Sequence, residues 1–170
     1  TDTEMLKFID GFPFTLTRAQ TRVIQEIRQD MAKDTPMLRL LQGDVGSGKT
    51  LVAIFGCVAA ARNGFQSCVM VPTEILARQH YENISRMVGQ GHLKDLRVAL
   101  LTSSIASKEK EKLYARIREG AADLVIGTHA LMGGEVVFKN LSFVVIDEQH
   151  KFGVRQRALL AEKGNNPDIL

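Results

Sequence analysis

The 170 residues, 45% hydrophobic and 24% charged, have the length and balance of one globular domain with a real core, and leave no room for a second full one. A formal charge of +3 permits contact with a phosphate backbone but does not require it. The apolar stretch at 51–61 is too short to cross a bilayer, and no charged segment followed by an apolar run and cleavage site opens the chain, so a soluble cytosolic protein with no membrane partner is expected. Cys57 and Cys68 lie in apolar segments without paired or metal-ligand spacing, and His80, His92, His129 and His150 are scattered, which argues against a disulfide framework or a zinc site.

In chain order, residues 1–16 read as a lead-in and 17–170 as the domain. Thr17 is placed to cap a helix over 18–32, whose Val23, Ile24, Ile27 and Met31 share one face at helical spacing. A strand at 37–41 precedes a helix over 49–62 that closes at Asn63-Gly64. Further strands at 67–71, 97–102, 124–126 and 143–146 alternate with helices over 74–88 and 108–119. That alternation predicts an α/β fold, a mostly parallel sheet with helices on both faces. The charges of Lys108-Glu109-Lys110-Glu111-Lys112 read as a solvated helix face, and Met132-Gly133-Gly134-Glu135 as a mobile turn.

Directly after the first strand stands Gly43-Asp44-Val45-Gly46-Ser47-Gly48-Lys49-Thr50, the G-x-x-x-x-G-K-[ST] phosphate loop in its strand-to-helix setting. Glycines let successive amides point at phosphate oxygens, and the helix that follows adds its positive end. Lys49 would supply a charge to the outer two phosphates and Thr50 a hydroxyl to magnesium. The competing reading, a glycine-rich turn that merely starts a helix, does not require this residue pattern.

Residues 143–146 run into Asp147-Glu148-Gln149-His150, two adjacent carboxylates at the carboxyl end of a buried strand, where ligands of such sheets bind. Asp147 can hold magnesium through water, and Glu148 can take a proton from the water attacking the terminal phosphate. Alone, such a pair is usually a solvated loop or helix cap. Combined with the loop it points to hydrolysis: a small-molecule kinase needs no glutamate to activate water, and a switch GTPase would carry an Asn-Lys-x-Asp motif, which is missing.

The Asp-Glu-x-His pattern resembles the superfamily 2 helicases, and the likeness extends over nearly the whole chain. It includes Phe14-Thr15-Leu16-Thr17-Arg18-Ala19-Gln20, the phosphate loop, Pro72-Thr73-Glu74-Ile75-Leu76-Ala77-Arg78-Gln79-His80, Gly127-Thr128-His129-Ala130-Leu131 and the stretch from Asp147 to Val154. Within that superfamily the chain is most similar to bacterial branch-migration helicases. The resemblance implies a RecA-like, three-layer phosphate-loop domain using ATP and Mg2+, with Gln20 on the adenine edge and Phe14 and Leu16 near the base. Thr17-Arg18-Ala19-Gln20 equally fits a capping box, in which Gln20 turns back to the helix start.

The same resemblance implies a DNA groove along 72–78 and 127–130, with Thr73, Arg78, Thr128 and His129 as phosphate or sugar contacts; each is otherwise a cap or surface residue. It implies that Gln149 and His150 relay nucleotide state, and that a second RecA-like domain, supplying arginines, and a wedge domain are partners, so these residues alone should turn ATP over poorly. Ser103 stands where such motors commonly have glycine. Pro167-Asp168-Ile169-Leu170 reads as the opening of a strand that in the family lies between the strand before the loop and the acidic strand, so the domain is expected to be cut there. The implied function is ATP-driven remodelling of branched DNA. The alternatives are a transcription-repair coupling translocase, whose motif usually has glutamate in place of Gln149, and a nucleotide-dependent DNA-binding module without productive hydrolysis.

Overall fold

The computed structural model describes residues 3, 7, 10, 15–42, 48–89 and 93–170, so the expectations for Phe14, Gly43, Asp44, Val45, Gly46, Ser47 and His92 lie outside the described residues. Helix α1 (Arg18–Met31) starts with a capping box: Gln20 N donates to Thr17 Oγ1 at 3.2 Å, and Thr17 N donates to Gln20 Oε1 at 2.9 Å. Helix α2 (Lys49–Arg62) buries Leu51, Val52, Ile54, Phe55, Cys57 and Val58, the near-continuous apolar surface of a helix enclosed by its neighbours. Strand β1 (Gln66–Met70) follows, and Thr73 then caps helix α3 (Glu74–Val88) by accepting from Leu76 N. Strand β2 (Val98–Leu101), helix α4 (Ser107–Arg118), strand β3 (Leu124–Gly127), strand β4 (Leu141–Ile146), helix α5 (Val154–Ala161) and strand β5 (Asp168–Ile169) complete the order.

The five strands form one sheet in the order β2-β3-β1-β4-β5, and every pairing is parallel. Side chains alternate across it as strand geometry demands. Phe143 and Val145 join Ile24 and Ile27 of α1, Val52 of α2 and Ile84 of α3 in one core; Val144 and Ile146 join Leu113 and Ile117 of α4 and Leu160 of α5 in the other. The result is the three-layer α/β/α arrangement expected from the sequence. Both cysteines are buried and unpaired, and burial pushes the Cys57 thiol up to about 12. No described helix is long and apolar enough to cross a membrane.

Four elements differ from expectation or were not expected. Residues 37–41 make a single parallel bridge, Leu38 to Ile169, instead of a full strand. Arg39 N donates to Ile169 O at 3.0 Å and Ile169 N to Met37 O at 2.8 Å, but β5 offers only two residues to pair with. Leu38 and Leu40 stay 81% and 64% exposed. The segment is tied instead by side chains: Asp168 Oδ1 accepts from Met37 N at 2.6 Å, and Arg39 reaches Glu26 at 2.7 Å and Asp30 at 2.6 Å on α1. Helix α5 and two single 3-10 turns, His129–Met132 and Gln149–Lys151, had no clear periodic signal because they are too short to show one.

Gly56 sits midway along α2, where the helix backbone lies directly on the buried ring of Phe143; a Cβ at this position would overlap three ring carbons. The intrinsic gain of alanine over glycine within a helix is about 1 kcal/mol, and overpacking a core costs about 1–3 kcal/mol. Gly56→Ala is therefore expected to lower the urea midpoint, and Phe143→Leu combined with it to recover part of the loss; a Gly56→Ala protein more stable than the parent would contradict the contact.

Candidate nucleotide and nucleic-acid site

Register brings the motifs together. Met70 pairs with both Gly127 and Ile146, and Gly127 with Leu101, so β1, β2, β3 and β4 end level. The residues after each strand consequently emerge along one edge: Thr73 after β1, Ser104 after β2, His129 after β3, and Asp147 and Glu148 after β4. Lys49 and Thr50 open α2 close enough to this edge for the Lys49 charge to act on Asp147.

Asp147 is the most constrained group there, with 38% of its side chain exposed. Its Oδ2 meets His80 Nε2 at 3.1 Å, and its Oδ1 accepts from Glu148 N at 3.0 Å. The His80 hydrogen bond is the main reason the carboxyl is held below its ordinary range; partial burial opposes this, while His80's charge, the Glu148 amide and Lys49 reinforce it. Glu148 is exposed and takes a left-handed backbone, φ 51°, which turns the chain sharply out of β4 into the Gln149–Lys151 turn. A non-glycine residue in that region costs roughly 1 kcal/mol, and such strain concentrates at functional positions.

Lys49 is exposed and Thr50 half-buried. Gly48 before them has φ +80°, a left-handed conformation that favours glycine, and a Cβ there would displace the tip of the Gln20 side chain. The Gln20 carboxamide thus spans the start of α1 and the start of α2, its Oε1 occupied by the capping box.

Along the rest of the edge, Thr73 is exposed with its hydroxyl turned to its own helix. Arg78 donates to Glu74 Oε1 at 2.9 Å and to Ser104 Oγ at 3.1 Å, and Ser104 Oγ also donates to Glu74. Ser104 first and Arg78 second hold the Glu74 carboxyl below its usual range. His129 is exposed in its 3-10 turn, Gln149 is half-buried and His150 exposed.

The model of the DEAD/DEAH box helicase family matches residues 17–166. The chain belongs to this helicase family. It is 55% identical over 160 residues to the ATP-dependent DNA helicase RecG of Aquifex aeolicus, a match covering 93% of this chain and 20% of that protein. The RecG of Bacillus subtilis is 50% identical over 167 residues, 98% of this chain and 24% of that protein. A solved structure of RecG bound to a three-way DNA junction covers 100% of this chain and 22% of its own, with TM-score 0.86 and 46% identity. The chain therefore spans about a fifth to a quarter of the length of these relatives, and its parallel sheet with helices on both faces is the RecA-like helicase fold.

Within this helicase domain the edge departs from expectation in three places. Thr128 is 3% exposed, and its hydroxyl, with no hydrogen-bond partner among the described residues, lies beneath the surface of the edge; the 3-10 turn begins directly after it. Leu16 is 9% exposed in the core beside α1 and is not offered to a base. The glycine-rich turn is anchored: Lys163 Nζ donates to Gly133 O at 2.8 Å and Val136 O at 2.7 Å, and burial lowers the Lys163 pKa.

Sequence reasoning missed Lys163 and His80 as site-supporting residues because their partners lie 30 and 67 positions away, beyond any local spacing pattern. Lys163→Met should release the turn while sparing the sheet. Amide exchange at 133–137 is expected to quicken at least tenfold, since hydrogen bonds to a charged group contribute about 1.5–3 kcal/mol; unchanged exchange would mean the lysine does not hold it.

Proposed function

We propose that this chain is the ATP-binding motor domain of a DNA helicase that remodels branched DNA, such as stalled forks and four-way junctions, by coupling ATP hydrolysis to translocation. The observation that carries this reading is that Asp147 and Glu148 leave β4 on the edge that also bears Thr73, Arg78 and His129, with Lys49 at the start of α2 near enough for its charge to act on the half-buried Asp147. Similarity to RecG, including the RecG bound to a three-way junction, supports branched DNA as the substrate.

In this reading Gly43, Asp44, Val45, Gly46, Ser47 and Gly48 present backbone amides to the phosphates, Lys49 bridges the outer two, and Gln20 contacts adenine by releasing its cap bond. Thr50 and Asp147 would hold Mg2+. The donor set fits that ion: no cluster of three or more His, Cys, Asp or Glu among the described residues could hold a metal, and magnesium typically takes one or two protein ligands plus phosphates and water. When bound, the ion neutralises charge on the phosphates. Glu148, exposed, would accept the proton of the attacking water at its carboxylate. Thr73, Arg78 and His129 contact phosphate or sugar without reading bases, with Arg78 exchanging Glu74 for the DNA backbone. Gln149 and His150 would relay nucleotide state to the DNA side or to a second RecA-like domain, and a wedge domain would meet the branch.

In the full-length protein, Glu148→Gln should keep nucleotide affinity and lose about a hundredfold or more of turnover, the scale of a lost general base. Lys49→Ala should lose nucleotide binding itself. Turnover measured with forked, linear duplex and single-stranded DNA completes the test: strongest stimulation by forks supports remodelling, while Glu148→Gln hydrolysing near the parent rate would sink the assignment.

A further inference from the structure

The group nearest the acidic strand that no motif reading explains is His80. It lies on α3, the helix whose first turns carry Thr73 and Arg78, and its imidazole reaches across to β4's end with 18% of its side chain exposed. Its partner Asp147 is held on both oxygens, by His80 on Oδ2 and by the Glu148 amide on Oδ1. Rotation about the terminal carboxylate bond would break both hydrogen bonds, so the plane of the carboxylate is set before any nucleotide arrives. Each carboxylate oxygen retains a further lone pair for another partner.

We infer that His80 is a positioning residue for the metal carboxylate: from α3 it fixes Asp147 in the orientation that receives the magnesium-nucleotide complex. The inference rests on the proposed role of Asp147 and adds a residue that family pattern and spacing leave without a task. Outer partners of metal-binding groups tune affinity by orienting the ligand, and their loss typically costs about 10- to 100-fold in metal affinity. His150, the histidine next to the carboxylates in sequence, lies exposed in the turn after them, whereas His80, remote in sequence, makes the contact.

The test uses the full-length protein and a non-hydrolysable fluorescent ATP analogue, so that turnover is not the readout. The Mg2+ concentration giving half-maximal analogue binding is measured for the parent, His80→Leu, His80→Gln and Asp147→Asn, with binding in EDTA as a measure of site integrity. His80→Leu keeps volume without a donor and should raise the half-point about tenfold, with EDTA binding unchanged. His80→Gln retains a donor and should stay within about twofold of the parent. A parent half-point in His80→Leu, or an equal rise in both His80 variants, overturns the inference. An unchanged half-point in Asp147→Asn overturns instead the assignment of Asp147 as a metal ligand, so the two failures are distinguishable.

Discussion

The contact between the Gly56 backbone and the Phe143 ring sets the geometry on which the site depends. Helix α2 begins with Lys49 and Thr50, and strand β4 ends with Asp147 and Glu148. Neither pair can choose its distance from the other by charge alone, because exposed ammonium and carboxylate groups attract weakly in water. A helix backbone seated directly on a buried ring of that strand, with no side chain of its own at the contact, has little freedom to rise or tilt. The ring is wholly buried, so core packing holds the helix that opens with Lys49 against the strand that ends at Asp147.

Around that spacing, the charged groups are held by one another before any ligand binds. Asp147 is gripped by His80 and an amide, Arg78 by Glu74 and Ser104. Pre-oriented charge loses less entropy on binding than a freely rotating side chain. Two charged groups on the sheet edge thus enter any binding event already paired.

The layers of the fold, the order of helices and strands, the capping box and the edge position of the acidic pair were all legible in the residues, because each rests on local periodicity or on a motif with its own strand-to-helix context. What was not legible depends on distant pairing. Residues 37–41 look like a strand by composition, yet their ladder length is decided by the two residues of β5. Gln66 lies just before the strand expected at 67–71; it is buried, donating to Ile117 O and Ala122 O and accepting from Asn140 N, so it ties the start of β1 to the last turn of α4 and to two loops. Thr128 and His129 look equivalent in sequence, and only the fold turns one inward and the other out. The roles of His80 and Lys163 arise entirely from contacts between segments that have no pattern in common.

The strand order carries a consequence for how the chain reaches this state. β1 is the middle strand, and both its neighbours, β3 and β4, are made later. As the polypeptide leaves the ribosome, β1 and the apolar helix before it must wait, unpaired on both edges, until a long stretch of chain has followed. Parallel pairing across such separations is intrinsically slow. Nascent molecules therefore pass through a period in which their most adhesive strand is open to other chains, and cellular yield will depend on chaperones that shield it.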